Sequence, residues 1–341
     1  MDGHQKFHKV PVPRIGGVAV FLGICATALI TAIDGTSSEQ KTTAAALLAC
    51  SLPAFLAGTL EDLTKRVSVS LRLVASFASA GLAVYLLRAY LTSVDTLVLD
   101  HVLAVSPLLA YAFTCFSVAG VANAVNIIDG FNGLASGSVI IMLTGICGLA
   151  WIYSDPLVMR LCLTAIAPIA GFMLLNFPLG KIFLGDGGAY LCGFWLAECA
   201  IILLIRNPNI STWAVLLVCM YPVFETAFSI WRKAIYRKTG MGRPDKVHFH
   251  MLVYRRLIRK KMGERTPSWV LHGLTSVFIW MQVLGCSAFA ICLTILDATS
   301  SMVMLTGTSI FALCYMSIYR HLVRASHPVE HHRAGKEVGA L

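Results

Sequence analysis

Apolar side chains along this chain gather in long blocks separated by short polar stretches, without the one-sided stripe of a soluble amphipathic helix. Ten blocks stand out, at about 15–33, 42–60, 72–90, 101–122, 134–153, 157–175, 187–205, 211–230, 269–296 and 299–319. Each is close to the roughly twenty residues that a helix needs to cross about 30 Å of hydrocarbon. A membrane β-barrel would alternate apolar and polar residues in segments of about ten, and no such alternation occurs. The pattern predicts an all-α, polytopic transmembrane helical bundle of about ten spans. It reads as one integral membrane catalytic domain over residues 1–341, with 320–341 a flexible tail and no internal repeat.

Composition points the same way: 57% of residues are apolar and 13% charged, where a soluble chain has roughly 25% charged. Lys and Arg give the direction, because cytoplasmic loops carry them in excess. With the N-terminus cytoplasmic, 23 of the 27 basic residues fall on the cytoplasmic side, opposed by Lys41, Arg88, Arg160 and Arg206. Both termini are therefore expected in the cytoplasm, with the chain in a bacterial inner membrane. The net charge of +10 would then meet anionic lipid and phosphorylated substrates. Nucleic acid is not an expected partner. The eleven cysteines lie in or beside the apolar blocks and form no C-x-x-C pair, so they read as packing residues. The first block follows a 14-residue polar segment, and no cleavable signal peptide is expected.

Nearly all polar constellations fall at one end of the spans. Glu61 and Asp62 close the second block, followed by Lys65 and Arg66. Adjacent carboxylates can hold a hydrated Mg²⁺ or position a nucleophile, and the bases can meet phosphate oxygens; a solvated helix end is the alternative. The stretch 123–137 carries Asn123, Asn126, Asp129 and Asn132 among glycines, with no basic residue. Its amides can donate to a ribose, a base or a phosphate. Asp186 stands between Gly185 and Gly187 just before an apolar block, where a charge is costly and usually functional; a helix cap is the alternative. His248 and His250, two apart, do not share a helix face, which argues against a helical zinc site. On an extended loop both could face one phosphate. His8 to Gly17 mixes bases, prolines and a Gly pair. Glu198 and Glu225 sit in or near spans, where either can be paired inside the bundle, and His327, His331 and His332 belong to the tail.

Together these residues resemble the polyprenyl-phosphate N-acetylhexosamine-1-phosphate transferase family, whose members start peptidoglycan, O-antigen and teichoic-acid lipid intermediates. The resemblance runs from about residue 8 to 256 and is carried most specifically by N-A-V-N-I-I-D-G-F-N-G-L-A, F-L-G-D-G-G and P-D-K-V-H-F-H, in family order. It implies Mg²⁺-dependent transfer of a sugar 1-phosphate from a UDP-N-acetylhexosamine to polyprenyl phosphate, with release of UMP and Mn²⁺ as a possible substitute ion. By resemblance Glu61, Asp62, Asp129 and Asp186 are catalytic, and Asp186 with Asp129 are metal ligands. Lys65, Asn123, Asn126, Asn132, His248 and His250 would contact substrate, and a homodimer is possible. Glu61 departs from the family's usual Asp, Asn132 from a frequent second Asp, and Met251 from a third His found in some branches. Residues 4–17 match a loop that in many relatives follows a first span, so a leading helix of those relatives is expected to be missing.

The attacking phosphate monoester has a second pKa of about 6 and is mostly dianionic near neutrality. A strong general base is therefore not required, and the acidic pair is expected chiefly to position metal and nucleophile. The rival reading is a multi-span transporter or lipid flippase. Transporters place ionisable groups near the bilayer midplane at broken, repeated helices, whereas here the acids gather at one interface.

Overall fold

The computed structural model describes residues 12–33, 37–234, 247–263, 265–297 and 300–324. His8, Lys9, the segment 243–246 and the tail beyond residue 324 lie outside the described residues. Among those described there is no strand. The chain forms helices α1 (Gly16–Ile33), α2 (Ser38–Thr64), α3 (Val69–Leu87), α4 (Leu97–Val105), α5 (Pro107–Ile128), α6 (Leu134–Ile152) and α7 (Pro156–Asn176). They are followed by α8 (Gly185–Arg206), α9 (Thr212–Val218), α10 (Met220–Arg232), α11 (Phe249–Leu252), a π-helical turn at Val253–Ile258, α12 (Arg259–Met262), α13 (Ser268–Ile295) and α14 (Ser301–Arg324).

Eight of these helices are single rods long and apolar enough to cross a membrane. The predicted span 211–230 is broken into α9 and α10, which meet at 83°. Pro222 explains the break. To continue α9, residue 222 would have to donate its N–H to the carbonyl of Val218, and proline has none. The predicted first span is α1, whose apolar stretch Gly16–Thr31 is shorter than the rest. Among the described residues, eight helices, or nine with the bent pair counted as one span, are long and apolar enough to cross, roughly consistent with the ten predicted. Two boundaries also differ. The start of the predicted fourth span, 101–122, belongs to the separate helix α4, and α5 runs six residues past the predicted end at 122 to Ile128. Asn123 and Asn126 therefore lie on a helix, not in a loop.

Helix ends are fixed locally: Ser68 and Asp155 accept from the backbone N–H groups of Leu71 and Val158, and Pro107 and Pro156 open α5 and α7. The centre of the bundle is α8, 94% of whose apolar window is buried, against 22% for α14. It packs on α1, α2, α5 and α6. Outer helices instead expose large apolar side chains such as Leu71, Val74, Leu82, Met302 and Leu313. So much exposed apolar surface marks contact with a bilayer. At the far end Arg206 bridges Asp155 at 2.8 Å and Glu39 at 2.5 Å, tying the ends of α8, α7 and α2 together.

Candidate active site

The site forms where the first turn of α8 is held between α1, α2 and α3. Three backbone hydrogen bonds stitch Pro13–Gly17 to Phe183 and Leu184: Phe183 N to Pro13 O at 2.9 Å, Gly16 N to Phe183 O at 2.9 Å and Gly17 N to Leu184 O at 2.8 Å. The glycines of the G-D-G-G run then let backbones touch. A Cβ on Gly187 would stand 2.3 Å from Thr59 Oγ1, and one on Gly185, which has φ +76°, would stand 2.5 Å from Asp62 Oδ2. Only glycine allows that approach and that backbone conformation.

This packing gathers the acids. Asp62 Oδ2 accepts from Gly187 N at 3.0 Å, so a side chain from α2 caps the start of α8. Its Oδ1 is buried and makes no hydrogen bond among the described residues, with Lys65 Nζ 3.7 Å away. Asp186, in the first turn of α8, pairs with Arg72 of α3. Asp129 follows the last residue of α5 and is half-buried. Burial pushes its carboxyl up to about 7; the like charge of Asp62 adds to this, and Arg14 opposes it. Asp62 and Asp129 thus feel each other and one arginine. Glu61 turns the other way: its Oε2 accepts from Val67 N at 2.9 Å and shapes the α2–α3 loop.

Tyr190, one turn beyond Asp186, joins the α5 amides, donating to Asn123 Oδ1 and accepting from Asn126 Nδ2, each at 3.3 Å. Asn132 is 1% exposed, and its polar atoms are engaged within the protein. Its Nδ2 donates to Pro178 O at 2.8 Å, and its Oδ1 lies 3.5 Å from His272 Nδ1. With Asn176, whose Oδ1 accepts from Gly133 N at 2.6 Å, it ties the loop after α5 to the loop after α7.

His248 caps α11 and His250 lies within it, so the pair is not on an extended loop. The rings are parallel to within 4° at 5.5 Å. His250 Nε2 makes no hydrogen bond among the described residues and would lie 3.3 Å from a Cβ on Gly130, beside Asp129. Phe131 packs against His250, Tyr254 and His272, which seats this segment on the α5–α6 loop.

Residues 44–204 match the model of glycosyl transferase family 4. The chain resembles this family over that stretch, just under half of its length. Over 278 residues it is 28% identical to a probable undecaprenyl-phosphate N-acetylglucosaminyl 1-phosphate transferase of Bacillus subtilis, covering 81% of this chain and 74% of the relative. It is 27% identical over 264 residues to the undecaprenyl-phosphate alpha-N-acetylglucosaminyl 1-phosphate transferase of Escherichia coli K12, covering 74% and 67%. A decaprenyl-phosphate N-acetylglucosaminephosphotransferase of Mycobacterium tuberculosis is 29% identical over 289 residues, covering 72% and 66%. The chain is a multi-pass membrane enzyme of the sugar-phosphate transferase type.

Two residues of this cluster escaped sequence reasoning. Arg72 counted only as a topology charge, although an arginine in the first turn of an apolar helix is itself a signal. Tyr190 carried no signal in an apolar block. The residues of the site fit a divalent cation in part. No three His, Cys, Asp or Glu side chains among the described residues are grouped to hold a metal ion. Asp62 Oδ1, which makes no hydrogen bond among the described residues, and the charge-crowded Asp129 could nonetheless supply carboxylates of the kind Mg²⁺ uses when substrate phosphates complete its shell.

Burial of His250 has a measurable consequence. Its imidazole is pushed down to about 4 by burial, with Glu225 opposing and His248 adding to the shift. The folded state therefore binds fewer protons than the unfolded chain between that value and the ordinary 6.5, and stability is lost as pH falls through this window. Between pH 7 and 5 the loss is about 2 kcal/mol. Thermal melts of detergent-solubilised protein should show a smaller pH 7-to-5 decrease in His250→Gln than in wild type. Equal decreases would contradict the buried, neutral ring.

Proposed function

We propose that this enzyme transfers an N-acetylhexosamine 1-phosphate, GlcNAc 1-phosphate in the simplest case, from its UDP-sugar to polyprenyl phosphate. A terminal oxygen of the lipid phosphate attacks the sugar-bearing phosphorus, the bond to the bridging oxygen breaks, and UMP leaves. The observation that carries this reading is the convergence of Asp62, Asp129 and Asp186 with Arg14, Lys65 and Arg72 at one end of a membrane bundle. The substrates in the names of the similar proteins support it.

Each group has a task suited to its setting. Lys65, half exposed beside Asp62, faces the interface from which a lipid phosphate arrives. The tyrosine-linked amides of Asn123 and Asn126 are hydrogen-bonding groups for the nucleotide. His250 Nε2, beside Gly130, can donate to a phosphate oxygen. Asp62, Asp129 and Asp186 are the carboxylates that would hold Mg²⁺, or Mn²⁺ in its place, and the ion when bound would offset phosphate charge. Arg72 holds Asp186 in one orientation. The lipid dianion needs no strong base.

The basic residues crowd the catalytic end of the bundle, which supports a cytoplasmic active site and cytoplasmic termini in an inner membrane. A role in starting envelope polysaccharides follows from the same chemistry. Sealed vesicles test reaction and sidedness together, since UDP-sugars do not cross a bilayer. UMP should be released from UDP-GlcNAc by inside-out vesicles supplied with undecaprenyl phosphate and Mg²⁺, and not by right-side-out ones. Transport without UMP release would instead support a transporter.

A further inference from the structure

Glu225 lies in α10, just past the break in its span, and is 1% exposed. An isolated carboxylate there would be costly, but donors surround it. His248 Nδ1 lies 2.8 Å from Oε1, Phe249 N donates to both carboxylate oxygens at 3.2 Å, and the Tyr315 hydroxyl donates to Oε2 at 2.5 Å. A carboxylate only accepts, so the proton of this contact sits on His248 Nδ1, and the Nε2 edge of the ring faces away from its holder. Four residues earlier on the same helix, the Tyr221 hydroxyl meets His250 Nδ1 at 3.3 Å. One face of α10 therefore grips both imidazoles by their Nδ1 edges. The 83° bend between α9 and α10 brings that face beneath the histidine segment.

We infer that Glu225 is a positioning residue: it holds His248 by its Nδ1–H in a fixed ring plane, so that the ring, when it carries a second proton at Nε2, donates that proton beside His250 Nε2 to the pyrophosphate of the sugar-nucleotide donor. The inference rests on the donor assignment made above. It goes further in giving an acid inside a membrane helix a role in the reaction, through a histidine and not by contact with substrate. The hydrogen bonds to Phe249 and Tyr315 are the competing, purely structural explanation, because they hold α11 and α14 without regard to His248.

A double-mutant cycle separates the two, because residues that act as one unit lose activity non-additively. Glu225→Gln should lower kcat for UMP release on the order of 10- to 100-fold, the usual effect of losing a histidine's orienting partner. His248→Ala should lower it by at least as much, and the double variant should be no slower than His248→Ala. Tyr315→Phe, which removes a donor to Glu225 without touching His248, should change kcat less than threefold. Multiplying losses in the cycle, or a Tyr315→Phe loss equal to that of Glu225→Gln, would overturn the inference. If Glu225→Gln does not fold, ring ¹⁵N spectra of histidine-labelled wild-type protein decide the question. A histidine protonated at Nδ1 is expected, its signal absent from His248→Ala, and a His248 bare at Nδ1 would overturn the inference. The spectra read the tautomer without substrate, so an enzyme that releases no UMP would refute the donor assignment and leave the tautomer test standing.

Discussion

Asp186→Asn should lower UMP release by about a hundredfold or more while the protein inserts, purifies and runs as a single species in detergent. The substitution keeps side-chain volume and removes one charge from the first turn of α8. Losing an electrostatic stabiliser of developing charge typically costs about 10²- to 10³-fold in rate. The cost to folding is smaller: a negative charge near a helix N-terminus contributes about 0.3–1 kcal/mol. The Arg72 guanidinium loses its carboxylate but stays at the interface, where its side chain is 13% exposed. The measurement is initial UMP release across a Mg²⁺ titration. A variant with both normal rate and normal Mg²⁺ dependence would remove Asp186 from the reaction.

How much of this was legible in the chain differs residue by residue. The spans were legible because hydrocarbon thickness imposes a length on every apolar block. The ends of α5 and α2 were harder to place, since both helices run past the hydrocarbon and carry polar residues in their last turns. Asp186 announced itself as a charge opening an apolar helix. The cap that Asp62 places on Gly187 could not be read, because 125 residues separate the two and only backbone contact across glycines joins them. Asn132 looked like Asn126 in sequence. Asn126 reaches a tyrosine on α8, whereas Asn132 is buried between two loops, a difference set by which way the turn after α5 folds. Arg72 was hidden by its context, since a basic residue at a span end serves topology equally well.

The close seam between α1 and α8 makes a prediction of comparable size by a different route. A Cβ on Gly17 would stand 2.3 Å from Gly188 N and 2.6 Å from Gly188 Cα. Both are backbone atoms, so no side chain can swing aside to make room. Gly17→Ala must therefore push α1 off the start of α8, breaking the hydrogen bond from Gly17 N to Leu184 O or tilting the turn that carries Asp186. Overpacking of this kind costs about 1–3 kcal/mol. The effect on rate should be larger, because a misplacement of about 1 Å at a reacting centre can cost about a hundredfold. Melting temperature should fall by several degrees and kcat for UMP release by roughly two orders of magnitude. Gly81→Ala is the matched control: its Cβ would meet nothing within 4 Å, and alanine favours a helix over glycine by about 1 kcal/mol. It should melt no lower than wild type and keep its rate. If Gly17→Ala behaved like Gly81→Ala in both measurements, the glycine seam would not be what sets the position of Asp186.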